Sequence, residues 1–149
     1  MNLRKTLHNL IKQRWASIPP DEKRVLIVIM HAFDDRERVT QQQIAEHHMV
    51  KVGKHEEHEA HLNPKRESTL RKVRQLIRNL RVNHGIPIIS SRKGYTLPEN
   101  QTELQEFVEE LERRAKAQAA AWHETYRAIK NNLNVTSSFF DGMSAHLED

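Results

Sequence analysis

Cysteine is absent from this chain of 149 residues, and glycine and proline are scarce. The lack of thiols excludes disulfides and thiolate metal sites, and it favours a reducing intracellular compartment. With four glycines and five prolines, we expect no long disordered linker. No apolar run approaches the roughly 20 residues of a membrane span. Residues 1–15 have spaced apolar residues and no small-residue cleavage site, so we do not expect a signal peptide.

Positive charge is present in excess, and most of it falls in one segment. From Lys65 to Lys93 there are nine Lys or Arg residues and one acid, Glu67. Because the whole chain has a net charge of +4, the residues outside this segment are acidic overall. Such concentration is typical of a surface that faces a polyanion. The alternative is a solvated face without a partner.

Spaced apolar residues predict two helices in the first quarter of the chain. The first helix lies in an N-terminal arm over residues 1–20, and its stripe is Leu3, Leu7, Leu10, Ile11 and Trp15. The second helix, from Glu22 to Phe33, is apolar on nearly all sides. A helix of that kind belongs in the centre of a core.

A short helix and a histidine-rich segment follow. Thr40 and Gln43 have the spacing of a capping box, so we expect a helix to begin at Gln41. The next stretch, residues 49–64, is polar and weakly periodic, and we interpret it as a loop with at most one helical turn.

The basic segment predicts a helix and then a hairpin. Leu70, Val73, Ile77 and Leu80 form an apolar stripe on a helix over residues 65–83, and Gly85 is placed to end it as a left-handed cap. Two short strands, Ile86–Ser90 and Tyr95–Leu97, are joined by the turn-forming residues Ser91 to Gly94.

A long amphipathic helix is predicted over residues 100–133, with Asn100 and Glu103 as its N-terminal cap. Its apolar positions step by three and four, close to a heptad seam; they are Leu104, Val108, Leu111, Ala115, Gln118/Ala119, Trp122, Tyr126, Ile129 and Leu133. This helix is expected either to pair with a second copy in a homodimer or to fold back as an intramolecular strut. Residues 134–149 are interpreted as a flexible tail.

The order of elements is that of a winged helix-turn-helix. Residues 77–97, IRNLRVNHGIPIISSRKGYTL, resemble the winged-helix family of the biotin operon repressor's N-terminal domain, and small phage and prophage helix-turn-helix proteins share the pattern. The resemblance covers Asp21–Pro98 and implies a fold that is mainly α with a small β-hairpin. The insert 49–64 is longer than a family turn, and no ligase domain is present, so ligase activity is not implied.

The resemblance implies binding of double-stranded DNA by a domain over residues 21–99. An exposed face of the basic helix can enter a major groove, where Arg reads guanine and Gln reads adenine, each worth about 1–3 kcal/mol of discrimination. We expect base contacts from Thr69, Arg71, Lys72 and Gln75. Phosphate contacts are expected from Arg74, Arg78, Arg92 and Lys93, and from the backbone amides of Gln41 and Gln42. For the arginine of the hairpin, the alternative is a contact in the minor groove.

These expectations define a sequence-specific DNA-binding protein, cytoplasmic and nucleoid-associated, that regulates transcription of bacterial, phage or mobile-element genes. The alternatives are a DNA replication or segregation accessory protein and a winged-helix adaptor that binds proteins. His55, His58 and His61 drift around a helix, so we expect no metal site, and nothing indicates a cofactor or a small-molecule ligand. The histidine pairs lack the two-residue spacer of HExxH, and we expect no enzymatic activity.

Overall fold

The computed structural model describes residues 2–52 and 66–133, except the side chains of residues 48–52 and 133. The fold is mainly helical, with a two-stranded antiparallel hairpin and a long C-terminal helix, as expected from the sequence. The elements in chain order are α1 (Leu3–Arg14), a 3₁₀ turn (Trp15–Ser17), α2 (Pro20–Asp34), α3 (Gln41–Val52), α4 (Glu67–His84), β1 (Ile89–Ser91), β2 (Gly94–Thr96) and α5 (Gln101–Leu133).

The chain divides into two compact units, Met1–Leu104 and Gln105–Asp149. In the first unit, α2 is the central helix and packs against α3, α4 and β2. Its residues Val25, Leu26, Ile29 and Phe33 are fully buried, because apolar residues nearly surround the helix. The predicted N-terminal arm contributes to the same core through the buried stripe of α1, which is Leu3, Leu7 and Ile11.

Three predicted helix boundaries are confirmed. At the start of α3, the Thr40 Oγ1 atom accepts from the Gln43 amide at 3.1 Å, and the Gln43 Oε1 atom accepts from the Thr40 amide at 2.9 Å. This is the reciprocal capping box. Gly85 ends α4 with φ of 66°. Asn100 caps α5 by accepting from the Glu103 amide at 2.9 Å.

The described part of the stretch 49–64 is helical, in agreement with the one helical turn that the prediction allowed there. α3 continues to Val52, four residues into the stretch 49–64. Each further residue of an existing helix adds one hydrogen bond without a new nucleation cost. A helix can therefore continue into a segment whose apolar periodicity is weak. The rest of that stretch and the tail 134–149 lie outside the described residues.

The hairpin pairs Ile89 with Thr96 and Ser91 with Gly94, leaving Arg92 and Lys93 as a two-residue turn. A third segment joins it, because the backbone of Val39 exchanges hydrogen bonds of 3.0 and 2.7 Å with that of Tyr95. The first strand is shorter than the predicted Ile86–Ser90. The Ile88 amide donates to the Ile86 carbonyl at 2.9 Å, so these residues form a local turn, and both side chains fill the core.

The buried stripe of α4 is rotated relative to the prediction. The buried residues are Thr69, Val73, Leu76, Ile77 and Leu80, whereas Leu70 is only half-buried. At about 100° per residue, Thr69 lies about 25° from the centre of this stripe and Leu70 about 75° from it. The expectation that Thr69 is exposed is therefore wrong.

In the second unit, α5 carries large apolar side chains on its surface. Val108, Leu111, Trp122 and Ile129 are all exposed. Glu110 pairs with Arg113 and Arg114 along the same helix. Leu104, the first residue of the predicted seam, belongs instead to the first unit and packs against its core.

Candidate nucleic-acid interface

The face of α4 that lies opposite the buried stripe is exposed and basic. Arg71, Gln75 and Arg78 are all exposed, and helical geometry places them within about 40° of the direction opposite the core. The Gln75 amide donates to the Asn79 Oδ1 atom at 3.0 Å, which orients it along this face. Three of the ten predicted contact residues thus share one solvent-facing surface.

Arg74 lies on the flank of α4 that faces α3 and the hairpin. Its guanidinium donates to the Gln41 Oε1 atom at 3.2 Å and to the Glu67 Oε1 atom at 2.5 Å. The Gln41 amide in turn donates to the Tyr95 hydroxyl at 2.8 Å. This hydrogen-bond chain, Glu67–Arg74–Gln41–Tyr95, connects α4, the start of α3 and β2.

Glu67 is the one carboxylate in the basic segment, and it pairs with Arg74. The hydrogen bond from Arg74 and the charge of that guanidinium lower the pKa of Glu67, and Arg71 contributes a weaker attraction. The carboxylate therefore offsets part of the positive charge at the start of α4, and it pairs with Arg74, whose side chain is 43% exposed.

The tip of the hairpin adds cations beside this face. Arg92 and Lys93 are exposed, and the Lys93 amide donates to the Ser91 Oγ atom at 3.2 Å. Arg38 donates to the same Ser91 oxygen at 2.8 Å, so its guanidinium lies next to the turn. Arg38 was not among the residues predicted from the sequence to contact DNA.

A groove of about 470 Å³ lies where α3, α4 and the hairpin meet. It brings Gln41 and Gln42 close to Arg92, which is far from them in the sequence, and its walls include Leu70 and Tyr95. This explains the half-burial of Leu70, which faces the groove and not the core. Tyr95 is buried and packs the hairpin against the hydrophobic core.

Two predicted contact residues are not brought to this surface. Thr69 is buried, and its Oγ1 atom has no hydrogen-bond partner among the described residues, so it cannot contact a ligand on the exposed face. Lys72 is exposed but lies on the opposite flank of α4 from Arg74, because two residues correspond to about 200° of rotation.

Comparison with protein-family models, curated proteins and solved structures finds no match to this chain. Within residues 2–52 and 66–133, no three metal-ligating side chains come together. No helix among the described residues is long and apolar enough to cross a bilayer. His55, His58 and His61 lie outside the described residues.

Proposed function

We propose that residues 21–99 form a winged helix-turn-helix domain that binds double-stranded DNA in a sequence-specific manner. The observation that supports this most is the single basic surface made by the exposed face of α4 and the hairpin tip. An α-helix with its side chains is about 10–12 Å wide, and the major groove of B-DNA is about 12 Å wide. The Val39–Tyr95 bridge supports the winged arrangement, in which the strand before α3 joins the hairpin.

The geometry refines the role proposed for each residue. Arg71 and Gln75 are centred on the exposed face, so they are the base-reading residues. Lys72 is left out because it lies on a flank of α4 away from this surface. Arg78 on α4 and Arg92 and Lys93 on the hairpin neutralise phosphates. Thr69 is left out because it is buried.

Gln41 and Gln42 line the groove between α3 and the hairpin, where they are suited to a phosphate of the same duplex. Arg74 joins the phosphate contacts only when it leaves Glu67. The proposed use is transcriptional regulation of bacterial, phage or mobile-element genes by a homodimer that associates through α5.

A titration of labelled duplex DNA at several salt concentrations tests the proposal. Each neutralised phosphate contributes about 0.9 to the slope of log affinity against log salt. Changing Arg71, Arg78 and Arg92 together to alanine is expected to weaken binding and to flatten that slope by about 1 for each phosphate that is no longer neutralised. Selection of bound sequences from random duplexes then reports the specificity.

The matched control changes Lys5, Lys12 and Arg14, three exposed cations of α1, to alanine. It removes the same charge from a different surface, so binding is expected to stay close to that of the parent. Equal losses of affinity in both triple variants would show a non-specific effect of net charge. Unchanged binding by the α4 and hairpin variant would refute the proposed surface and favour a protein-binding adaptor.

A further inference from the structure

The exposed apolar residues of α5 form one continuous stripe. Val108, Leu111, Trp122 and Ile129 have 40%, 48%, 58% and 45% of their surface exposed. Together with Ala115 and Tyr126 they lie within about 60° of one another around the helix, at about 100° per residue. A stripe of this width and length is the surface that a second helix covers in a coiled coil.

The stripe has a mirror symmetry along the helix axis. Its members are paired at equal distances from the point midway between Gln118 and Ala119. Val108 matches Ile129, Leu111 matches Tyr126, and Ala115 matches Trp122. An antiparallel pair of identical helices centred on this point therefore sets apolar residues against apolar residues along its length.

Side-chain volumes also favour the antiparallel pair. That arrangement sets the large Trp122 side chain of each copy across from the small Ala115 side chain of the other. A parallel pair sets Trp122 against Trp122 and Ala115 against Ala115, which crowds one layer and leaves a void in another. Interiors pack well when large and small residues alternate across facing positions.

Charge provides an independent reason for the same orientation. Residues 101–112 contain five glutamates and no Lys or Arg, whereas residues 113–133 contain five Lys or Arg and one glutamate. A parallel pair places the acidic halves together and the basic halves together, at a repulsive cost. An antiparallel pair places each acidic half along a basic half, and its symmetry sets Arg113 opposite Glu124.

We infer that α5 pairs with α5 of a second copy of this chain in antiparallel orientation, centred between Gln118 and Ala119. The inference rests on the self-association proposed above and not on DNA binding. The 21 residues from Val108 to Ile129 span about 31 Å at 1.5 Å per residue. In the antiparallel pair the two Val108 side chains are therefore far apart, and each lies beside Ile129 of the other copy.

Disulfide trapping of the full chain tests the orientation, since no native cysteine interferes. The variants are Val108→Cys and Ile129→Cys, one of them carrying a tag that makes the mixed dimer distinguishable by mass. After mild oxidation on a non-reducing gel, we expect the mixture to form mainly the mixed disulfide and each variant alone to stay largely monomeric. Ala117→Cys, an exposed position on the opposite face, measures background cross-linking by collision and is expected to stay reduced.

Sedimentation of the parent chain accompanies the trapping, and DNA titration is measured separately. Disulfides within each single variant, without enrichment of the mixed product, would show a parallel pair and overturn the orientation. If sedimentation shows a dimer but the cysteine variants form no more disulfide than Ala117→Cys, the interface lies outside this stripe. That result would also overturn the inference. A monomer at all concentrations would overturn self-association, and the proposed DNA binding would still stand or fall by its own titration.

Discussion

Replacing Gly94 by alanine tests whether the hairpin is fixed to the helical core through Val39. Gly94 has φ of 122°, and a Cβ atom there would lie 2.5 Å from the Val39 carbonyl oxygen and 2.6 Å from its carbon. These are backbone atoms, so no side-chain rotation can relieve the clash. The same carbonyl accepts the Tyr95 amide at 2.7 Å. The alanine must therefore push Val39 away from the strand to which it is bonded.

The expected cost has two parts. A non-glycine residue forced into a glycine-only region of backbone space costs about 1–3 kcal/mol. Loss of the two Val39–Tyr95 hydrogen bonds adds about 1 kcal/mol each. We expect Gly94→Ala to lower the free energy of unfolding by about 3–5 kcal/mol, which is large for a single methyl group.

Gly85→Ala is the matched control. Gly85 also has a positive φ, of 66°, but a Cβ atom there would meet nothing within 4 Å, so only the left-handed strain of about 1–2 kcal/mol applies. Urea unfolding of both variants, followed by far-ultraviolet circular dichroism, gives the two free energies. If Gly94→Ala costs no more than Gly85→Ala, the hairpin is not held by Val39 as described.

Three further changes have defined expectations. Glu67→Gln removes the carboxylate that holds Arg74 and is expected to tighten duplex binding several-fold at low salt and to steepen the salt slope. Because the pKa of Glu67 is lowered, this difference should persist at pH 5 and vanish only as the pH falls through that lowered pKa. In the parent chain the His84 Nε2 atom lies 3.5 Å from the buried Glu22 carboxylate. His84→Ala removes that partner and is expected to lower the free energy of unfolding by about 2 kcal/mol. Trp122→Ala is expected to raise the dimer dissociation constant about tenfold or more, with little effect on unfolding of the monomer because Trp122 is exposed.

Two of these changes have a control within the chain, and the third has a defined contradicting outcome. Glu106→Gln removes an equal charge from an exposed position on α5, and tightening of the same size there would show a general charge effect. For His84, equal stability of the alanine variant and the parent would show that the pair with Glu22 has no net value. Leu104→Ala is the comparison for Trp122→Ala, and it is expected to destabilise the first unit, where Leu104 packs. If Trp122→Ala lowers the free energy of unfolding by as much as Leu104→Ala, Trp122 belongs to a core.

Local chemistry explains which parts of the fold could be predicted. The Thr40–Gln43 capping box and the Gly85 cap depend on residues within a few positions of one another, so sequence spacing was sufficient. The hairpin turn was predictable because Gly94 and its neighbours are turn-formers. These features required no knowledge of what lies across the core.

The parts that were missed depend on contacts between distant segments. Helical spacing allows either Thr69 or Leu70 to belong to the buried stripe of α4. Thr69 is the buried one, because Leu70 faces the groove that α4 forms with α3 and the hairpin. Arg38 reaches Ser91 across 53 positions, and Gln41 reaches Tyr95 across 54. Helical or strand periodicity contains no information about such pairs.

The Glu67–Arg74–Gln41–Tyr95 chain has a consequence for how this surface would evolve. A substitution at any of its members changes the hydrogen bonds available to the next member. The effects of substitutions at α4 and at the hairpin are therefore coupled, and their free energies do not add. The coupling energy in such networks is commonly about 0.5–3 kcal/mol. The order in which substitutions arise then matters, since one that is harmful alone becomes neutral after another. Under the proposed function, a substitution at Arg74 that alters the phosphate contacts of α4 would also alter the hydrogen bonds beneath the hairpin, because Arg74 donates to Gln41 and Gln41 donates to Tyr95.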